Sequence, residues 1–348
     1  MDKITRIGMD TSKRIFQLHG VGTAEQVVLK RQLRRSQVLP FFAKLAPTKI
    51  GIEACGAAHY WARELSKLGH EVVLVPPQYA MAYVKRGKND AADAAAICEA
   101  MSRPSMSFVK VKSADQQAAL MLTGVRDRLI RNRTQIANAI RGFAAEFGLI
   151  APKGLDKIEP LMALIAASDE TLPDTARKLF AIQAQDYAYV DRQLAQVEAE
   201  LMAWHKNNEA SRRLAKIAGV GPIGASLMAM KVGDPYAFAS GRHFAAWIGL
   251  TPKDHSTAGK QRLGVITRAG DEALRSVLVA GAMSVIKQAL RRPERAAPWL
   301  KALLARKPRK LAAVALANKN ARIAWKMLKT GEPYDNKRSL CPAMAQAA

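Results

Sequence analysis

The stretch ITRIGMDTSKRIFQLHGVGTAEQVVL, Ile4 to Leu29, decides the fold class. Its apolar residues fall in three short runs, Ile4 to Met9, Ile15 to His19 and Val27 to Leu29. Asp10-Thr-Ser-Lys13 and Gly20-Val-Gly-Thr23 separate them. Runs this short between turn-forming clusters predict a three-stranded meander. Beyond it, Ser36 to Leu45 has helical spacing and Lys49 to Glu53 reads as a strand. His59 to Leu68 reads as a helix stopped by Gly69, and Val72 to Val75 as a strand stopped by Pro76-Pro77. Antiparallel strands followed by βα units predict a mixed α/β sheet.

The remainder of the chain reads as helical. From Ala114 to Phe147 apolar residues recur at spacings of three and four, with Arg126, Arg128, Arg131, Arg133 and Arg141 on the other faces. Leu155 to Pro173 reads as a hinge. Asp156 to Glu209 is acidic, with ten acids against five bases. Within it Tyr187, Val190, Leu194, Val197, Leu201 and Trp204 follow a heptad-like seam. The seam predicts a coiled-coil arm for self-association, although Gln183 breaks the register and another helix of the same chain could cover it equally well. Beyond Leu214 the chain is helical again, with a loop-rich stretch from Gly249 to Gly270. The expected domains are therefore 1–150, 151–210 and 211–348.

The chain has 348 residues and a formal charge of +25, from 54 Lys and Arg against 29 Asp and Glu. Such a surplus points to a polyanionic partner. Cys55, Cys98 and Cys341 form no C-x-x-C pair, so neither a disulfide framework nor a zinc site is expected. Charged residues interrupt every apolar stretch short of about 18 residues, and no signal peptide is read. The expected setting is the bacterial cytoplasm, at the nucleoid, without membrane insertion.

Three places put acids where a solvated surface does not explain them. Asp10 ends the first strand, Glu53 ends the strand from Lys49, and Asp90 and Asp93 stand one turn apart on one helix face. Four such carboxylates repel unless a divalent cation lies among them, and oxygen-only ligands favour Mg²⁺ or Mn²⁺. Two ions about 3.5–4 Å apart would clamp the attacking and leaving oxygens of a phosphodiester. Taken singly, Asp10 could be a turn residue and Asp90 a helix N-cap.

Ile7-Gly-Met-Asp10-Thr-Ser-Lys13, Gly51-Ile-Glu53-Ala54 and Lys88-Asn-Asp90-Ala-Ala-Asp93-Ala94 resemble the Asp-Glu-Asp-Asp motif of the IS110 family of insertion-sequence transposases. That resemblance implies a RuvC-like, ribonuclease-H-like first domain. It also implies a composite site shared between protomers of a dimer or tetramer, and a structured bridge RNA that pairs with both DNA partners. Trp247-Ile-Gly-Leu-Thr-Pro-Lys-Asp-His-Ser256-Thr-Ala-Gly-Lys-Gln-Arg-Leu-Gly264 resembles the family's transposase domain, in which a serine of this loop is the nucleophile. The implied residue is Ser256, with Thr257 a competing alignment. Lys260, Arg262 and Arg268 could hold the non-bridging oxygens as charge develops. His255 is read as a packing residue or a proton carrier.

Ile217 to Gly224 looks like a helix-hairpin-helix turn, whose backbone N–H groups at Gly219 and Gly221 could hold a phosphate; a close-packed helix turn is the other reading. Lys287 to Lys310 carries nine bases and one acid. Its Arg291, Arg292, Arg295, Arg306, Lys307, Arg309 and Lys310 are candidate nucleic-acid contacts. Lys30, Arg31, Arg34 and Arg35 are read as a solvated face. Three rival functions remain: a metal-only junction nuclease with a structural Ser256, a sugar or acetate kinase of actin-like fold using Gly8 to Lys13 as a phosphate loop, and a binding protein whose acids are vestigial. With 6% aromatic residues, recognition by base stacking is not expected, and delegating sequence choice to base pairing suits the surface.

Overall fold

The computed structural model describes residues 3–84, 89–168 and 171–335. Lys88 of the third motif and Cys341 lie outside the described residues. Two compact units meet in sequence at Gln117/Ala118.

In the first unit β1 (Arg6–Thr11), β2 (Ile15–Val21) and β3 (Val27–Arg34) form the antiparallel meander. Strands β4 (Lys49–Glu53) and β5 (Glu71–Val75) add in parallel, giving the order β3-β2-β1-β4-β5. Side chains of successive residues point to opposite faces. Ile7, Met9, Phe16, Leu18, Leu33, Ile50 and Ile52 therefore share a face, where they pack with Phe42 of α1 (Val38–Phe42) and Trp61 and Leu65 of α2 (Ala58–Lys67). Buried His70 is held there by its hydrogen bonds. Its Nδ1 accepts from Thr48 N at 3.2 Å and its Nε2 reaches the Phe42 carbonyl at 3.0 Å. After α3 (Pro77–Ala80), α4 (Asp90–Ala100) lies on the opposite face.

Residues Gly8 and Gly51 are what let α4 lie so close. A Cβ at Gly8 would collide with the Ala94 carbonyl and the Cys98 nitrogen, and one at Gly51 with the Met101 sulfur. This also removes the kinase reading's structural basis, because Gly8 is mid-strand and pressed under a helix rather than in an open loop. Asn89, not Asp90, is the N-cap of α4: its Oδ1 accepts from Ala92 N at 2.8 Å. The N-cap alternative for Asp90 is thereby corrected, since Asp90 begins the helix itself.

The basic helix α5 (Ala114–Ala145) leads into the second unit, followed by α6 (Ile158–Ala167) and α7 (Asp174–Asn207). Antiparallel α5 and α7 are tied by Arg126 to Glu198 at 2.8 Å and Arg133 to Asp191 at 2.6 Å. Between them Val190 and Leu194 pack with Leu129, while Tyr187 joins Ile140 and Phe180. Leu201 packs with Ala119 and Met230. The seam is thus covered within the chain by α5, which corrects its assignment to an intermolecular coiled coil. The segment read as a hinge is also a packed helix: Ile158, Leu161 and Ile165 of α6 are buried against α5 and α7 residues.

Helices α8 (Glu209–Leu214), α9 (Pro222–Lys231), α10 (Gly241–Ile248), α11 (Glu272–Arg291), α12 (Pro298–Arg306) and α13 (Arg309–Thr330) complete the unit. Their core gathers Leu214, Met228, Phe244, Leu278, Ala317 and Met327. By length and composition α11 is the one described helix apolar enough to cross a membrane. Its Leu274, Leu278, Ala282 and Ile286 are buried in that helical core. Between α10 and α11 the expected loop is a hairpin of β6 (Pro252–Asp254) and β7 (Leu263–Ile266).

Candidate active site

Asp10 stands one residue beyond the last rung of the β1–β4 ladder, Met9 opposite Ile52, and Glu53 stands at the same level on β4. Both follow a glycine by two positions, so they share the face that Gly8 and Gly51 turn toward α4. With the helix seated on those glycines, its first turn brings Asp90 and Asp93 to the same end of the sheet. Asp10 and Glu53 are half-buried, as is Asp93, whereas Asp90 is exposed.

The other three acids bear on Asp10 through their charge. Burial pushes the Asp10 carboxyl up to about 6, and the charges of Asp90, Asp93 and Glu53 push in the same direction. The Thr11 backbone hydrogen bond opposes them. All four sequence-derived acids therefore share one neighbourhood. Among the described residues, however, no three His, Cys, Asp or Glu side chains converge tightly enough to grip a single ion. As a donor set the four fit a hard divalent cation: they offer oxygen alone, and their anionic forms are mutually destabilising.

Ser256 lies near the tip of the β6–β7 hairpin, exposed along with Thr257, Lys260 and Arg262. The tip is a tight turn: Ala258 and Gly259 both have positive φ, and Lys260 N donates to the Thr257 carbonyl at 3.0 Å. His255 N donates to the Arg262 carbonyl at 2.8 Å, and the His255 ring lies against Gly264. The Ser256 Oγ accepts from Arg262 N at 2.9 Å, while Ser256 N donates to Asp254 Oδ1 at 2.8 Å. Asp254 is held below the usual carboxylate range by the Ser256 hydroxyl and, after it, the Ser256 backbone N–H. At the hairpin's base Gly249 and Gly270, both at positive φ, approach the Ala269 and Trp247 carbonyls too closely for any Cβ. Arg268, exposed, leaves this clamp with φ 53°.

The other candidates divide. Gly219 packs against Gly281 of α11, and that close approach explains its glycine; Gly221 is exposed at the start of α9 with open space around it. Arg291, Arg292, Arg295, Arg306, Lys307, Arg309 and Lys310 are all exposed, and among the described residues none of them joins an ion pair. The sequence reading missed Asp254 as a partner of Ser256. It also missed the glycine two residues before each strand-end acid, a signal visible in Gly8-Met-Asp10 and Gly51-Ile-Glu53.

An acid-bearing α/β unit followed by a helical unit with a serine-tipped hairpin defines a class, and two family models match it in that order. A DEDD transposase model of the IS110 type covers residues 7–147, and the Transposase IS116/IS110/IS902 family model covers 211–298. The chain is 62% identical over 335 residues to the transposase-named y4pF/y4sB protein of Sinorhizobium fredii, covering 96% of this chain and 86% of that one. It is 39% identical to the transposase for insertion sequence element IS1328 of Yersinia enterocolitica, covering 96% and 99%. It is 36% identical to the transposase for IS1111A of Coxiella burnetii, covering 96% and 92%. The chain belongs to the IS116/IS110/IS902 family of transposases.

Proposed function

We propose that this transposase, acting in the bacterial cytoplasm at the nucleoid, cuts and rejoins the DNA strands of its insertion sequence with Ser256 as nucleophile and with Asp10, Glu53, Asp90 and Asp93 as the holders of Mg²⁺ or Mn²⁺. The first domain is read as RuvC-like, and the serine hairpin as reaching the scissile phosphate held by the acids, within one protomer or from another. The observation that carries the reading is that Asp10 and Glu53 stand at one level on adjacent parallel strands, on the face where α4 is seated with Asp90 and Asp93 in its first turn.

A bound divalent cation would neutralise the phosphate and polarise its oxygens. The chain's own residues do the rest. Ser256 Oγ forms a bond to phosphorus as the bond from phosphorus to the leaving deoxyribose oxygen breaks. Its proton passes to the neighbouring Asp254 carboxylate or to water, and the leaving oxygen takes a proton in turn. The Arg262 N–H already donates to Oγ, which favours the developing alkoxide. Lys260, Arg262 and Arg268 are placed to hold the non-bridging oxygens. Arg291, Arg292, Arg295, Arg306, Lys307, Arg309 and Lys310, with the backbone at Gly219 and Gly221, hold more distant phosphates.

Sequence choice falls to a structured guide RNA, a reading supported by the +25 charge and the scarcity of aromatic residues. Self-association of the arm falls to its outer stripe, where Leu179, Ile182 and Tyr189 are exposed. One observation favours the rival metal-only nuclease: the Ser256 hydroxyl serves the hairpin by accepting from Arg262 N.

The metal half is tested by strand cleavage of element-end DNA with guide RNA under titration of Mg²⁺ and Mn²⁺. Cleavage must require the cation and vanish in Asp10→Asn with the far-ultraviolet spectrum unchanged. Cleavage by Asp10→Asn at the wild-type rate would sink the assignment of the acids.

A further inference from the structure

Beside the acid cluster the sheet is left partly bare. Gln17 of β2 pairs with Asp10 of β1 and with Gln32 of β3, and His19 pairs with Gly8 and Lys30. Paired residues share a face. Gln17, His19, Lys30 and Gln32 therefore lie on the face that carries Asp10, beyond the part that α4 covers. Ala91, Ala92 and Ala95 form the helical wall, and the space between is a groove of about 450 Å³.

The basic run Lys30 to Arg35 divides between the two faces, with exposed Arg34, paired with Ile15, on the same face as Lys30. The Arg31 guanidinium lies 5.1 Å from the centre of the Phe41 ring and that of Arg35 4.9 Å from Trp61, both on the α1–α2 side. These two spend their charge on the fold's aromatic residues. Lys30 is exposed and forms no ion pair among the described residues. His19 is kept below its ordinary pKa by burial, then by Lys30 and Arg6, so it enters the groove as a neutral donor and acceptor.

We infer that this groove receives the DNA strand being cut, on its path away from the acids, with Lys30 on a backbone phosphate and the Gln17 and Gln32 amides on sugar or phosphate oxygens. Two strand spacings of about 4.8 Å and two residues of about 3.4 Å rise put Lys30 roughly 12 Å from Asp10. That distance corresponds to a few nucleotides along a strand rising about 3.4 Å each. The chemistry suits such a ligand. Three alanines are too short to close the groove, the Gln17 and Gln32 amides lie along it, and among the described residues Lys30, without an ion pair, stands at the end remote from the carboxylates. Amides and a lone lysine position a backbone without reading its sequence, as a transposase using a separate guide requires. The inference rests on the acids being the cutting site.

The test uses the full chain with guide RNA and element-end DNA, comparing Lys30→Ala, Lys30→Arg and Gln17→Ala/Gln32→Ala with the wild type, and the remote exposed Lys44→Ala as control. Lys30→Ala is expected to raise KM for DNA about fivefold, the effect of one exposed charge contact, with kcat unchanged. The slope of log affinity against log salt should fall in magnitude by about 0.9. Lys30→Arg should restore both, the double glutamine variant should raise KM, and Lys44→Ala should do nothing. Unchanged KM and salt slope in Lys30→Ala and in the double variant, with Asp10→Asn inactive, would overturn the groove while leaving the acids in place. A loss confined to guide-RNA binding would overturn the assignment to the cut DNA strand. Full cleavage by Asp10→Asn would instead overturn the reading of the acids.

Discussion

Burial and the charges of Asp90 and Asp93 make Asp10 the residue on which the acid cluster can be read in solution, because its carboxyl is raised to about 6. The sign of the linkage follows. Between the unfolded carboxylate value near 3.9 and the folded value, the native state binds more protons than the unfolded chain. Stability therefore falls as pH rises through that window, and the penalty is complete above pH about 6. Without divalent cations, Asp10→Asn should raise Tm relative to wild type at pH 8 and have little effect near pH 4. Added Mg²⁺ should raise the wild-type Tm at pH 8 and move the variant much less. Thermal scans at the two pH values check this, and an Asp10→Asn chain less stable than wild type at pH 8 would contradict it. These acids were legible as residue types at strand and helix ends. Asp254 was not, because its link to Ser256 depends on a hairpin that brings residues 254 to 256 against Arg262, and a stretch rich in small and polar residues reads as plain loop.

Each element's position follows from what the neighbouring one lacks. The seating of α4 depends on the missing Cβ atoms of Gly8 and Gly51. Gly8→Ala should force the helix outward at a cost of about 1–3 kcal/mol, typical of overpacking. Because the shift displaces Asp90 and Asp93, cleavage should fall further than the stability loss explains. Chemical denaturation and cleavage rates on the same sample separate the two effects, and wild-type cleavage would show that the helix carries no site residue. In the second unit the seam of α7 is internal. Leu194→Ala should therefore cost about 2–4 kcal/mol, as for a buried leucine, without changing the oligomeric state in sedimentation. Dissociation of an oligomer by that substitution would return the seam to an intermolecular role. Heptad spacing was readable in the sequence, but its partner was not: periodicity identifies an apolar stripe without saying which helix covers it, and α5 offered apolar positions at the same spacing.

At the scale of the whole molecule, the meander and both parallel strands were legible because short apolar runs between turn residues have few other solutions. The order of α/β and helical parts was equally plain from the change of period. What a single sequence could not give is long-range: which helix lies on which sheet face, and where a groove opens beside the acids. The basic run of β3 shows why, since strand alternation puts the Arg31 guanidinium over the Phe41 ring and Lys30 on the opposite face with Gln17 and Gln32, although they are neighbours in sequence. The family assignment makes the chain a transposase, and in the proposed function Ser256 is joined to DNA while the acids hold the cation.

The most direct test is to incubate the protein with guide RNA, Mg²⁺ and end-labelled element DNA, denature it, and look for label migrating with the polypeptide. Wild type should give a covalent adduct whose attachment maps to Ser256, and Ser256→Ala should give none. An adduct that persists in Ser256→Ala, or strand cleavage by that variant at the wild-type rate, would contradict the claim.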